Sequence, residues 1–138
     1  MTTMQGIART NYFRVKDIKA FRDSMNRFDV EVVEEPVNGV PHFAVFDTTN
    51  GGSWPVDVEG MGGKLIPVIF PHEISAHLED GEVAILMGVS YERTRSLRGH
   101  ALAIDNAGTV RKIELDDIYD EVHLTWGLTV EESGKVQF

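Results

Sequence analysis

"EVAILMGVSYER", residues Glu82 to Arg93, decides how the chain must fold. Read at the period of a strand, Val83, Ile85, Met87, Val89 and Tyr91 share one face, and Ala84, Leu86, Gly88 and Ser90 share the other. Both faces begin apolar. A strand wetted on one side alternates polar with apolar residues, so this one is expected centrally in a sheet. The sequence that follows supplies partners: "LRGHALAID" (97–105) and "TVRKIEL" (109–115) read as two antiparallel strands joined by a turn at Asn106-Ala107-Gly108. Beyond them Asp116 or Asp117 caps a last helix carrying Ile118, Tyr119, Val122 and Trp126, with Gly127 as its stop. Residues 128–138 show no defined pattern.

Just before the central strand stands "PHEISAHLEDGE" (71–82), which nearly spells the H-E-x-x-H signature of zinc hydrolases. That signature needs its histidines four residues apart, because four steps of about 100° return to one helix face. His72 and His77 are five apart, about 140° round the axis, and no third ligand is near in sequence. The segment therefore reads as a short helix started by Pro71 and stopped by Asp80-Gly81.

Towards the N-terminus, "TNYFRVKD" (10–17) reads as a strand with Phe13 and Val15 on one face and Tyr12, Arg14 and Lys16 on the other. Asp17 is a good N-cap, and Ile18, Phe21, Met25 and Phe28 form the stripe of an amphipathic helix. Strands at 30–34 and 42–46 follow, joined around Asn38-Gly39 and flanked by Pro36 and Pro41, which suit edge or terminal positions. Residues 47–64 hold five glycines without periodicity and read as a long loop. Trp54 in that loop either folds back onto the core or waits for a partner. The expected architecture is a single α+β domain over 1–138, β-α-β-β then α-β-β-β-α, with a largely antiparallel mixed sheet and helices packed on one face.

Composition narrows the chemistry. With 42% hydrophobic and 25% charged residues the chain has the make-up of a globular protein rather than a disordered one. The absence of cysteine excludes disulfides, thiol nucleophiles and iron–sulfur clusters, and suits a cytoplasmic protein. The N-terminus has no apolar signal region, and no apolar run approaches the roughly 20 residues of a membrane span. A net charge of −9 disfavours nucleic acid and favours a basic protein partner. The charge comes in blocks: residues 29–82 carry one basic and eleven acidic side chains, and residues 1–28 six and two. Such blocks either form faces of one sign, which speed association, or disperse over a solvated surface.

No catalytic, metal-ligating or cofactor-binding residue emerges. The acids of "ELDDIYDE" (114–121) lack the alternation of a calcium loop and suit a helix start. No serine sits in a nucleophile elbow, and no glycine-rich phosphate loop is present. Two binding surfaces remain. One is acidic, with Glu31, Glu34, Trp54, Asp57 and Glu59. The other is an arginine and tyrosine face for a nucleotide or RNA, with Tyr12, Arg14, Tyr91, Arg93, Arg95 and Arg98, formed if the first strand neighbours the central one.

The segments "TNYFRVKDIKAFRDSM", "HLEDGEVAILMGVSYERTRSLRGHALAIDNAG" and "IELDDIYDEV" resemble, in order and wording, a family of small uncharacterised proteins carried by phages, prophages and plasmids. The resemblance covers about two thirds of the chain and carries no catalytic residue with it. It implies an anti-defence role of the anti-CRISPR or anti-restriction kind. The expectation is thus a non-enzymatic inhibitor that needs no cofactor and occupies the basic surface of a host nuclease or CRISPR effector, with a homodimer compatible with that role.

Overall fold

The computed structural model describes residues 5–47, 51–92, 96–129 and 132. Strands β1 (Gln5–Thr10), β2 (Glu31–Val37), β3 (Val40–Asp47), β6 (Val83–Glu92), β7 (Ser96–Asp105) and β8 (Val110–Glu114) form one sheet. Its order is β2-β3-β1-β6-β7-β8. Every described pairing is antiparallel, so the mixed sheet expected from sequence is in fact uniform. Two short strands, β4 (Asp57–Glu59) and β5 (Leu65–Pro67), pair as a separate ribbon. The helices are α1 (Ile18–Met25), α2 (Phe70–Ser75) and α3 (Ile118–Trp126), the last entered through a 3-10 turn at Leu115–Asp117.

The central strand stands where its composition requires, with β1 and β7 on its two sides. Its Ala84 and Leu86 are fully buried, as are Phe43 and Val45 of β3 and Ile104 of β7. Helix α1 adds Phe21 and Met25 to this core, and α2 adds Phe70 and Ile74. Phe21 meets Phe13 edge-on with centroids 5.8 Å apart and lies 5.6 Å from Phe43, geometries that favour aromatic pairs beyond simple burial. Asp17 caps α1 as expected, its carboxylate accepting from the Ala20 amide at 3.0 Å. Ile18, read as part of the buried stripe, is exposed, and the core contacts fall to Phe21, Met25 and Phe28.

The first strand departs from expectation. The ladder runs over Gln5–Thr10, and residues 11–16 leave it. Phe13 and Val15 are buried, but they bridge to different partners, Phe43 and Leu78. Side chains explain the departure. The Asn11 amide mimics a peptide group, accepting from the Ile85 amide at 2.8 Å and donating to the Val83 carbonyl at 3.1 Å. The buried Thr10 hydroxyl accepts from the Val45 amide, and the Glu82 carboxylate accepts from the Arg14 amide. A pattern search sees the alternation of Phe13 and Val15 but not these substitutes for ladder bonds.

The long loop expected over 47–64 contains, among its described residues, β4 and a 3-10 turn at Met61–Gly63. Its Gly51-Gly52 stretch crosses the sheet at β1 and β6 with backbone against backbone. A methyl group at Gly88 would run into the Gly52 carbonyl and the His100 ring, and one at Gly6 would run into the Val89 and Gly51 carbonyls. The β2–β3 hairpin closes as the sequence indicates, with Asn38 and Gly39 at φ 53° and 78° and Pro36 opposite Pro41.

The near-zinc segment also resolves. His72 is exposed near Gly108, whereas His77 packs edge-on against Phe21 at 5.8 Å. Burial holds the His77 imidazole below its ordinary value, with Glu73 opposing that shift.

Two outcomes follow for stability. Gly88→Ala should lower the unfolding free energy by about 1–3 kcal/mol through overpacking at the crossing, and a urea titration that finds it neutral would contradict the crossing. For His77 the unfolded chain takes up the proton first as pH falls. The stability of the neutral ring is therefore intact above about pH 6.5 and lost as pH drops through the lower folded-state value. Replacing His77 with Gln should flatten the fall in urea midpoint between about pH 7.5 and 5, and equal slopes would show that His77 plays no part.

Candidate functional site

The Gly51-Gly52 crossing delivers Trp54 onto the layer that covers the inner, buried face of the sheet. There its ring stacks on Phe70, with centroids 5.2 Å apart and planes at 10°. Of the two roles open to Trp54, the ring takes the first, capping the core of which Phe70 is part. Its Nε1 is buried and has no hydrogen-bond partner among the described residues. A cleft opens on either side of the ring.

On one side is a groove of about 440 Å³ walled by Trp54 and Phe28, with Asp29, Asp57 and Glu59 around it and Arg27 at its rim. Asp57 and Glu59 are exposed, because the alternation of β4 turns only Val58 into the core. Arg27 reaches the Glu73 carboxylate at 3.7 Å and lies over the Phe28 ring. The groove thus combines an aromatic wall with an excess of carboxylates, a surface suited to a cationic side chain.

On the other side, a cleft of about 540 Å³ is lined by Ser53, Trp54, Arg98, His100, Glu114 and Asp116, among others. His100 and Glu114 face each other across β7 and β8. Among the described residues no three potential ligands gather to hold a metal ion.

The acidic residues singled out from sequence are therefore divided. Trp54, Asp57 and Glu59 meet in one groove. Glu31 and Glu34 do not join them, because an odd separation along a strand puts side chains on opposite faces. Glu34 lies on the face under α1, where Arg22 donates to it at 2.7 Å, and Glu31 lies on the other, opposite Phe46. Sequence reasoning missed Asp29 and Arg27, whose place depends on where the chain leaves α1.

The arginine and tyrosine set is also divided. Tyr91 pairs with Gln5 at one end of β1, and Tyr12 follows the other end, about 20 Å away along the strand. Tyr12 hydrogen-bonds the Glu35 carboxylate, which raises its phenol above the ordinary value. Arg14 lies 3.5 Å from both Glu79 and Glu82. Arg98 lines the polar cleft, and Arg93 and Arg95 lie outside the described residues.

A third surface was not anticipated. On the outer face of the sheet, away from the core, Ile7 of β1, Ile85, Met87 and Val89 of β6, Leu97 of β7 and Ile113 of β8 are all exposed. Their backbones are paired in register, so the side chains form one apolar band, bordered by Arg9 opposite Met87 and Arg111 opposite Ala103. A groove of about 210 Å³ runs through it between Met87, Val89, Ala101, Ile113 and Leu115. The signal was in the sequence: the central strand is apolar on two faces, and the helices were expected on one.

Among the described residues no helix is long and apolar enough to cross a membrane. No family model, curated protein or solved structure matches the chain.

The stacking geometry fixes what Trp54 does for stability. Trp54→Ala should cost about 3 kcal/mol. Trp54→Phe should cost less than half as much, because it retains an aromatic stack and removes a buried donor whose isolation costs about 1–3 kcal/mol. Equal losses in the two variants, measured by urea unfolding, would show that the ring contributes no stacking.

Proposed function

We propose that this chain is a non-enzymatic binding protein that docks a cationic protein segment in the acidic groove beside Trp54. The observation that carries the reading is the convergence of Asp29, Asp57 and Glu59 on a groove walled by the Trp54 ring. A Lys or Arg side chain entering it would lie between carboxylates and an aromatic ring, gaining charge attraction and a cation–π contact together. The net charge of −9 draws a basic partner towards the whole molecule before the groove is reached. The resemblance to proteins of phages, prophages and plasmids supplies the class of partner: a host defence nuclease or CRISPR effector whose basic nucleic-acid surface is occupied and so inhibited. In this reading the protein is cytoplasmic and its action needs no cofactor.

A nucleotide- or RNA-binding module is the second reading, supported only by Arg98, His100 and Ser53 around the polar cleft. It is weaker because Tyr12 and Arg14 stand elsewhere and already meet carboxylates.

The test is binding of a fluorescent Arg- and Lys-rich peptide, followed by anisotropy. Affinity should fall steeply with added salt, and the double variant Asp57→Lys, Glu59→Lys should weaken it by tenfold or more, on the order of 1.4 kcal/mol. Salt-independent binding, or binding unaffected by the double variant, would overturn the groove reading. Competition by a nucleotide or short RNA with the variant unaffected would favour the second.

A further inference from the structure

We infer that the outer face of the sheet is covered by a second copy of this chain, the α3 helix of each copy lying across the apolar band of the other. This does not rest on the acidic groove, which lies on the opposite side of the sheet.

Helix α3 buries none of its residues. Its Ile118, Val122 and Trp126 recur every four residues and so form one stripe. Trp126 is 69% exposed and Ile118 59%. A nine-residue helix is too short to be stable in water on propensity alone, and helices of this length normally owe their stability to packing of the apolar stripe. Its C-terminus is nevertheless well formed, with Gly127 left-handed at φ 71° and its amide donating to the His123 carbonyl at 2.8 Å. Among the described residues nothing covers the stripe of this helix.

The outer band is the complementary surface. Val89 is 49% exposed, Leu97 58% and Ile113 65%, on a strand pair whose outward positions at Ile85, Met87, Val89, Gly99, Ala101 and Ala103 carry no charge. The small residues Ala101 and Ala103 make β7 a shallow trough between the larger side chains of β6 and β8, closed at one end where the chain's own Leu115 lies over Gly99. A helix needs such a trough to approach a sheet closely.

Size and symmetry select the occupant. The exposed apolar side chains of the band and α3 present on the order of 1,000 Å² per copy, against about 800 Å² per partner in a standard stable interface. Each copy carries one helix to give and one trough to receive, so a two-fold axis satisfies both and closes the assembly. The centre of the band carries no charge and gives a strongly charged partner nothing to pair with, while Arg9 opposite Met87 and Arg111 opposite Ala103 border it. The net charge of −9 on each copy opposes pairing at long range, so added salt strengthens the pair, opposite in sign to the peptide binding described above.

The experiment is sedimentation velocity on the full chain over a hundredfold concentration series, with iodide quenching of Trp126 in a Trp54→Phe background. The result expected is a two-chain mass at the upper end, favoured by salt, with Trp126 shielded there and quenchable after dilution. Met87→Lys on the sheet and Ile118→Lys on the helix should each raise the dissociation constant at least about 30-fold, the loss typical of a central contact. Both substitutions reduce the negative charge, so the loss cannot come from added repulsion. A thermal melt at low concentration keeps the test sound, since both side chains are exposed in the single chain and the melt should stay unchanged. A one-chain mass across the series with Trp126 always quenchable, or a two-chain mass that survives both substitutions, would overturn the proposal.

Discussion

Strand β6 is apolar on both of its faces and sits in the middle of the sheet, so it needs a cover above and a cover below. The rest of the molecule is arranged around the first of these. Helices α1 and α2 and the Trp54 segment bring Phe21, Met25, Phe70, Ile74 and Val58 against Leu86 and its neighbours. Backbone must cross backbone for the segment to reach that position. Gly6 and Gly88 are the places on β1 and β6 where a side chain would block the crossing. The glycines thus serve the cover rather than the strands that contain them, where glycine is otherwise a weak choice.

The two sides of the sheet are chemically unlike. On the covered side, the crossing segment carries carboxylates outward on β4 and holds an aromatic ring beside them, a surface that acts through charge and is screened by salt. The open side is apolar along its middle, with Arg9 and Arg111 at its margins, a surface whose centre favours water exclusion.

Much of this was legible in the sequence. The central strand, the Asp17 cap, the Asn38-Gly39 hairpin and the Gly127 stop each rest on a local rule, and each stands where that rule puts it. What failed was decided at a distance. The first strand was misplaced because Asn11, Thr10 and Glu82 bond to backbone far away in sequence and draw residues 11–16 off the ladder. The acidic site was half legible: Trp54, Asp57 and Glu59 are close along one segment, but Asp29 arrives from the end of α1 and Glu31 and Glu34 are parted by strand alternation. The arginine face required β1 to run over 10–17, so the error in the strand carried into the site.

The strand order has a consequence in time. β1 precedes the other described strands in sequence and lies between two hairpins, and one of its neighbours, β6, is made some 80 residues later, as the Tyr91–Gln5 contact across 86 positions shows. At about 5–20 residues per second, several seconds of synthesis separate the two. Through that interval the β2–β3 hairpin can form while the β6 side of β1 stays unpaired. Closing so long a loop slows folding, so the sheet forms late and β1 stays open to wrong partners until β6 arrives.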